Sequence, residues 1–175
     1  MFRFPLAAAT AIVLLAASSS PALAQATAVD LDRFDGRWFE IARNPNGAQR
    51  DCSRAQIDFN RAASGRFSVL VTCVRRPSGD VETLRANARV TDSTTNAKFR
   101  FSLTGLLSFG GLASQQYWVW DHAPDYSWAI MGLPDKSSWW IWHRSQSPGT
   151  SVRSATLARV QALGFDTSRV THTGQ

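Results

Sequence analysis

The chain is poor in the residues from which active centres are usually assembled. Of its 175 residues, two are cysteine and three are histidine. His122 falls in a turn, His143 on the expected outer face of a strand and His172 in the tail, a scatter without metal-ligand spacing. No serine stands in a nucleophile elbow, and no glycine run matches a phosphate-cradling loop. No catalytic constellation emerges, and no cofactor or metal is called for. Charge is sparse too, at 18% of residues, with a formal net charge of +6. The basic side chains are scattered along alternating strands, which argues against nucleic acid as a partner. Such an excess spread over a surface favours solubility, and the functional alternative is attraction to an anionic membrane surface or lipid headgroup. There is no internal repeat and no linker.

One long apolar run exists, and it lies at the start. Met1-Phe2-Arg3 is followed by the almost wholly apolar Phe4–Ala17, and Ala22-Leu23-Ala24 makes an A-x-A pattern before Gln25. This is the pattern of a secretory signal peptide over residues 1–24, too short and wrongly flanked for a membrane span. Its character is bacterial. The expected product is a single domain over 25–175, exported to the periplasm or secreted. Cys52 sits just before one expected strand and Cys73 near the end of the next, with Ser64-Gly65 near the turn between them. They would lie nearly opposite each other, so oxidising conditions would let them bridge. The functional alternative is a reactive thiol.

The remaining sequence alternates. Ile57 and Phe59 share one face of a strand near Arg54–Arg61, and Phe67, Val69 and Val71 share one face of Arg66–Cys73. Leu84, Ala86, Ala88 and Val90 alternate with polar residues over Val81–Val90, and Phe99, Phe101 and Leu103 do so over Ala97–Leu103. A first strand runs over Gly36–Arg43 after a short lead-in at Asp30–Arg33. Three aromatic strands follow at Gln116–Asp121, Tyr126–Leu133 and Ser138–Arg144. Period-2 patterning with one dry face per strand and tight turns predicts an eight-stranded antiparallel up-and-down barrel. Ser147-Pro148-Gly149-Thr150 then opens a helix whose stripe of Val152, Thr156, Leu157, Val160 and Leu163 should lie on the outside of the barrel. Gly164 would cap it, with Phe165 folding back, and a short strand would follow near Arg169–His172. The glycine-rich apolar stretch 105–112 is either a connection tucked against the barrel or an apolar lip touching ligand, membrane or a second subunit.

Three places carry a family likeness. Gly36-Arg37-Trp38 leads into Glu40-Ile41-Ala42-Arg43, His122-Ala123-Pro124-Asp125-Tyr126 precedes the seventh strand, and Trp140-Ile141-Trp142-His143-Arg144-Ser145 ends the eighth. Together they resemble the motifs of the lipocalins, and Gly164-Phe165-Asp166-Thr167-Ser168 resembles the helix end of the bacterial members. The likeness covers the chain from about Asp30 onward. It implies an all-β lipocalin barrel with the C-terminal helix packed on its outside. It also implies structural roles for Gly36, Trp38 and Arg144, with the Arg144 guanidinium across the Trp38 indole at the closed end. The second motif departs from the family where an aspartate gives way to Ala123, leaving Asp121 or Asp125 to hold the turn. Several bacterial lipocalins are lipoproteins with a cysteine at the cleavage site. This chain has none there, so the expected protein is soluble and not lipid-anchored.

The resemblance also implies a binding protein rather than an enzyme. The expected cargo is a small hydrophobic or amphipathic ligand, a fatty acid or lysophospholipid, stored or transported in the bacterial envelope for membrane maintenance. A tetrapyrrole or pigment carrier and a thiol-dependent enzyme are the alternatives. The candidate cavity wall comprises Ile57, Phe59, Phe67, Val69, Val71, Leu84, Ala86, Phe99, Phe101 and Trp140. A core filled by aromatic rings is the competing reading of the same residues. On the cavity reading, Val69→Trp should block ligand without unfolding the barrel. The facing of Trp118, Trp120 and Trp128 stays open, and either a monomer or a homodimer fits.

Overall fold

The computed structural model describes residues 28–104 and 114–174. The signal segment and the 105–112 stretch singled out above lie outside the described residues. A one-turn helix, α1 (Leu31–Phe34), is followed by β1 (Gly36–Arg43), β2 (Cys52–Ala62), β3 (Arg66–Arg75), β4 (Val81–Val90), β5 (Lys98–Leu103), β6 (Ser114–His122), β7 (Trp128–Gly132) and β8 (Trp139–His143). Helix α2 (Thr150–Ala162) and a two-residue strand, β9 (Thr171–His172), follow. From β1 to β8 each strand pairs antiparallel with the next, and β8 pairs back onto β1, which closes the barrel. β9 lies beside β1 through Ala42↔His172 and Arg43↔Thr171, where β1 has parted from β2.

The register explains the alternation. Residues directly opposite one another share a face of the sheet. Ile57↔Val71, Phe59↔Val69, Val69↔Ala86 and Ala88↔Phe101 therefore point inward together. Ala88 lies between Phe67 and Phe101 on the neighbouring strands, so this small residue makes room for rings rather than for ligand.

At one end the barrel is plugged. Asp30 accepts hydrogen bonds from the Asp32 and Arg33 amides and so starts α1. The sequence alone marks this segment only as a lead-in. Its single turn drives Phe34 into the barrel, with ring centroids 5.2 Å from Trp38, 5.1 Å from Phe59 and 5.6 Å from Phe99. Gly36 follows at φ +92, a left-handed conformation that costs a residue with a Cβ.

Outside the barrel, Val160, Leu163 and Phe165 cover Ile41, Ile130, Trp139 and Ile141 in a second apolar cluster. Phe165 presses on Gly132 so closely that a Cβ there would lie 2.8 Å from the ring. The helix ends as expected: the Phe165 amide donates to the Val160 carbonyl, and Gly164 sits at φ +82. The predicted tail strand is β9.

Cys52 and Cys73 are joined, with Cα atoms 5.6 Å apart and a sequence separation of 21. The hairpin turns through Ser64 and Gly65, both at positive φ. A loop of this length should contribute roughly 3 kcal/mol by restricting the unfolded chain. Cys52→Ser/Cys73→Ser is expected to lower the urea-unfolding free energy by about that amount and to abolish the sensitivity of the wild type to reductant.

Candidate ligand-binding site

All ten residues expected to line a cavity face the barrel interior, but they divide into two tiers. Ile57, Phe59, Phe67, Val69, Ala86 and Phe99 are buried in one cluster with Phe34 and Trp38. Aromatic rings here touch edge to face, with Phe59 5.8 Å from Phe67 and 5.1 Å from Phe34. This lower tier is packed, as the filled-core reading had it. Val71, Leu84, Phe101 and Trp140 are only partly buried and form an upper tier. Leu103 and Tyr117 join them there. The Tyr117 ring lies 4.9 Å from Phe101 and 5.6 Å from Trp140, so three aromatic side chains make one continuous inner wall. Burial pushes the Tyr117 phenol up from its ordinary range, and it stays neutral.

The open facings are now settled. Tyr117 and Val119 point in, while Trp118 and Trp120 point out toward the helix side. Ala129 and Met131 point in, and Trp128 and Ile130 point out.

Beside Trp140, on the β1 side of the barrel, is a polar network that the alternation alone did not reveal. The register of β1 shifts between Glu40 and Ala42. Such a bulge lets two successive residues face the same way. Glu40 lies opposite Trp142, Arg43 opposite Trp140, and Ile41 and Ala42 both belong to the outer cluster. Both charges are therefore interior, each residue being 1% exposed. Arg43 Nη1 donates to Glu40, and its Nη2 donates to the carbonyls of Gln49 at 2.6 Å and Cys52 at 3.2 Å. Gln49 Nε2 donates to Glu40 Oε2 at 2.8 Å, and Trp140 Nε1 donates to Gln49 Oε1 at 2.8 Å. The signal in the sequence was the adjacent apolar pair Ile41-Ala42, which breaks strict alternation.

The floor is held by Arg144. Its guanidinium carbon lies 3.7 Å from the Trp38 ring centroid. Nη1 donates to the Arg37 carbonyl at 2.8 Å, and Nη2 to those of Arg33 at 2.5 Å and Asp35 at 2.9 Å. Trp38 Nε1 donates to the Phe34 carbonyl at 2.8 Å. The turn before β7 is organised by Asp125, whose carboxylate is held below its usual range by hydrogen bonds from the Ser127 hydroxyl and from the Ser127 amide, the latter at 2.9 Å. Asp121 instead binds Arg159 on α2. Tyr126 ties this turn to the floor, its hydroxyl accepting from the Asp30 amide at 2.6 Å.

Among the described residues no group of three or more acidic, histidine or cysteine side chains could hold a metal ion. A closed antiparallel barrel, plugged at one end by α1 and lined above the plug by aromatic and aliphatic side chains, defines the calyx class of small-molecule carriers. The family description "Lipocalin-like domain" matches residues 29–175. The chain belongs to the lipocalins.

It is 28% identical over 167 residues to the outer membrane lipoprotein Blc of Escherichia coli K12, covering 93% of this chain and 91% of that protein. It is 25% identical over 149 residues to temperature-induced lipocalin-1 of Arabidopsis thaliana, covering 84% and 80%. Among solved structures, insecticyanin from the tobacco hornworm Manduca sexta superposes with a TM-score of 0.64 at 21% identity, covering 87% of this chain and 84% of that one. Lipocalins as a family bind small hydrophobic ligands.

Proposed function

We propose that this barrel stores or carries a fatty acid or lysophospholipid in the bacterial envelope. The observation that carries the reading is the half-buried inner tier of Val71, Leu84, Phe101, Leu103, Tyr117 and Trp140 above a fully packed floor. Apolar surface left partly exposed inside a barrel is what an acyl chain would cover, at roughly 25 cal/mol per Å² before the entropic cost of binding. Gln49, the half-buried member of the Glu40–Arg43–Gln49 network, sits beside Trp140 in this tier, where its amide can meet a headgroup. Similarity to outer membrane lipoproteins supports an envelope setting. The protein itself would be released unanchored after cleavage before Gln25, since both of its cysteines are joined to each other. That same bond leaves neither sulfur free as a nucleophile, which favours carriage over a thiol-dependent reaction.

The packing moves the test substitution up the barrel. Val69 is 3% exposed and lies across from Phe59 and Ala86, so Val69→Trp would overpack a filled core and destabilise the fold. Val71, one inward position higher, is the better probe. Val71→Trp is expected to weaken lysophospholipid binding at least tenfold, about 1.4 kcal/mol, with an unchanged melting temperature. Calorimetric titration with a thermal melt reads both. A folded Val71→Trp protein that binds lysophospholipid as tightly as the wild type would sink the assignment of this tier. A visible absorption band in the purified protein would point to a pigment instead.

A further inference from the structure

The outer wall formed by β3, β4 and β5 carries a charge pattern that the barrel does not need for folding. Inward residues are fixed by the register, so the outward ones are too. The outward ionisable residues on these three strands are Arg66, Arg85, Arg89, Lys98 and Arg100, and no carboxylate shares that face. Arg66↔Arg89 and Arg89↔Arg100 place three guanidinium-bearing residues directly across from one another on neighbouring strands. Strands lie about 4.8 Å apart, so the row spans roughly 10 Å. Like charges set opposite one another destabilise a sheet. Asp92, just beyond β4, is near enough for Lys98 to act on its charge, but among the described residues no carboxylate is paired with Arg66, Arg89 or Arg100. Among the described residues the ion pairs are Arg37–Asp58, Arg43–Glu40, Arg61–Asp32, Arg75–Glu82 and Arg159–Asp121, and none reaches this wall. Arg66, Arg85 and Arg89 are exposed.

A second observation lies on the same wall. Val81 is 63% exposed, the large hydrophobic residue that stands out to solvent among the described residues. It lies opposite Val74, on the outward side and at the end of β4 away from the α1 plug.

We propose that this wall docks the barrel sideways onto an anionic lipid surface. Guanidinium groups are planar forks that match phosphate oxygens, and a flat row of them without an interposed acid fits a surface that offers many phosphates at once. The arginine row would lie on the headgroups, and Val81 would enter their boundary with the acyl chains. A nucleic acid would use the arginines but gives the exposed valine no apolar partner. Docking in this pose lays the length of the wall against the lipid, from the arginine row beside the plugged end to Val81, roughly 26 Å along β4. The proposal goes beyond ligand carriage and does not depend on it.

Co-sedimentation tests it, using vesicles of phosphatidylethanolamine and phosphatidylglycerol in equal parts against vesicles of phosphatidylcholine. Wild type should bind the anionic vesicles and not the neutral ones. Each cation near an anionic surface is worth about fivefold in affinity, so Arg66→Gln/Arg89→Gln should bind roughly 25-fold more weakly. Its melting temperature should not fall, because the change relieves repulsion. Arg50→Gln/Arg169→Gln removes the same charge from exposed positions off this wall and should bind nearly as wild type does. Equal losses in the two double variants would reduce the effect to net charge and overturn the proposal. So would wild-type binding to phosphatidylcholine alone, no binding to either vesicle, full retention by Arg66→Gln/Arg89→Gln, or capture by an oligonucleotide without vesicle binding.

Discussion

Glu40→Ala is expected to lower the unfolding free energy by about 3–5 kcal/mol, the largest effect of any single substitution considered. The carboxylate is the counter-charge of Arg43, and both residues are 1% exposed inside the barrel. Removing one member of a buried pair leaves the other desolvated and uncompensated. Gln49 Nε2 would lose its acceptor at the same time. The pair need not add to stability relative to an apolar core, because desolvating two charges offsets most of their attraction. Hence Glu40→Met/Arg43→Met should recover most of the loss. Urea denaturation of the three proteins provides the measurement. A Glu40→Ala midpoint and slope equal to those of wild type would show that this pair is not the constraint its burial implies. Recovery of stability together with loss of lysophospholipid binding in the double methionine variant would point to a role for the pair at the ligand.

Arg144→Ala should cost about 3 kcal/mol. The guanidinium covers one face of Trp38 at 3.7 Å and satisfies the carbonyls of Arg33, Asp35 and Arg37 at the closed end. A stacked cation contributes about 0.5–2 kcal/mol, and each carbonyl stripped of its donor adds roughly 1 kcal/mol where water cannot replace it fully. Arg144→Lys should recover little, since one ammonium cannot stack on the indole and reach three diverging carbonyls. Ligand affinity should be nearly unaffected, because the packed tier of Phe34, Phe59 and Phe99 separates Arg144 from the upper wall. Denaturant unfolding beside ligand titration distinguishes the two effects. A large loss of affinity without a loss of stability would move Arg144 from the floor to the site.

The barrel was legible because its signal is period 2, and a closed sheet with a dry inside enforces that period on every strand. Phe59, Val69 and Phe101 could be assigned to one interior from parity alone, and the register bears this out. Height along the barrel was not legible. Parity tells inside from outside but does not say whether a ring meets ligand or another ring, so the packed Phe59 and the half-buried Phe101 looked alike. The exception to parity hid the interior ion pair: Glu40 and Arg43 share a face only because of the shift between Glu40 and Ala42. Phe34 was missed for a different reason. A single helical turn leaves no periodicity, and only its Asp30 cap was there to be seen. The basic wall escaped notice because Arg66, Arg89 and Arg100 are far apart in sequence and become neighbours only through strand pairing.

The double allegiance of β1 bears on the order in which the molecule can be completed. Its lower half pairs with β2, the next strand in the chain, while its upper half waits for β8 and β9. Those partners lie near the other terminus, so the first strand to be synthesised is among the last to be fully paired. Contacts of such long sequence separation slow folding, and until they form, the upper part of β1 is a bare edge carrying Glu40 and Arg43. Charges at an unpaired edge discourage it from pairing with a strand of another chain. On that order of assembly, the pair that ends up buried would first guard an open seam.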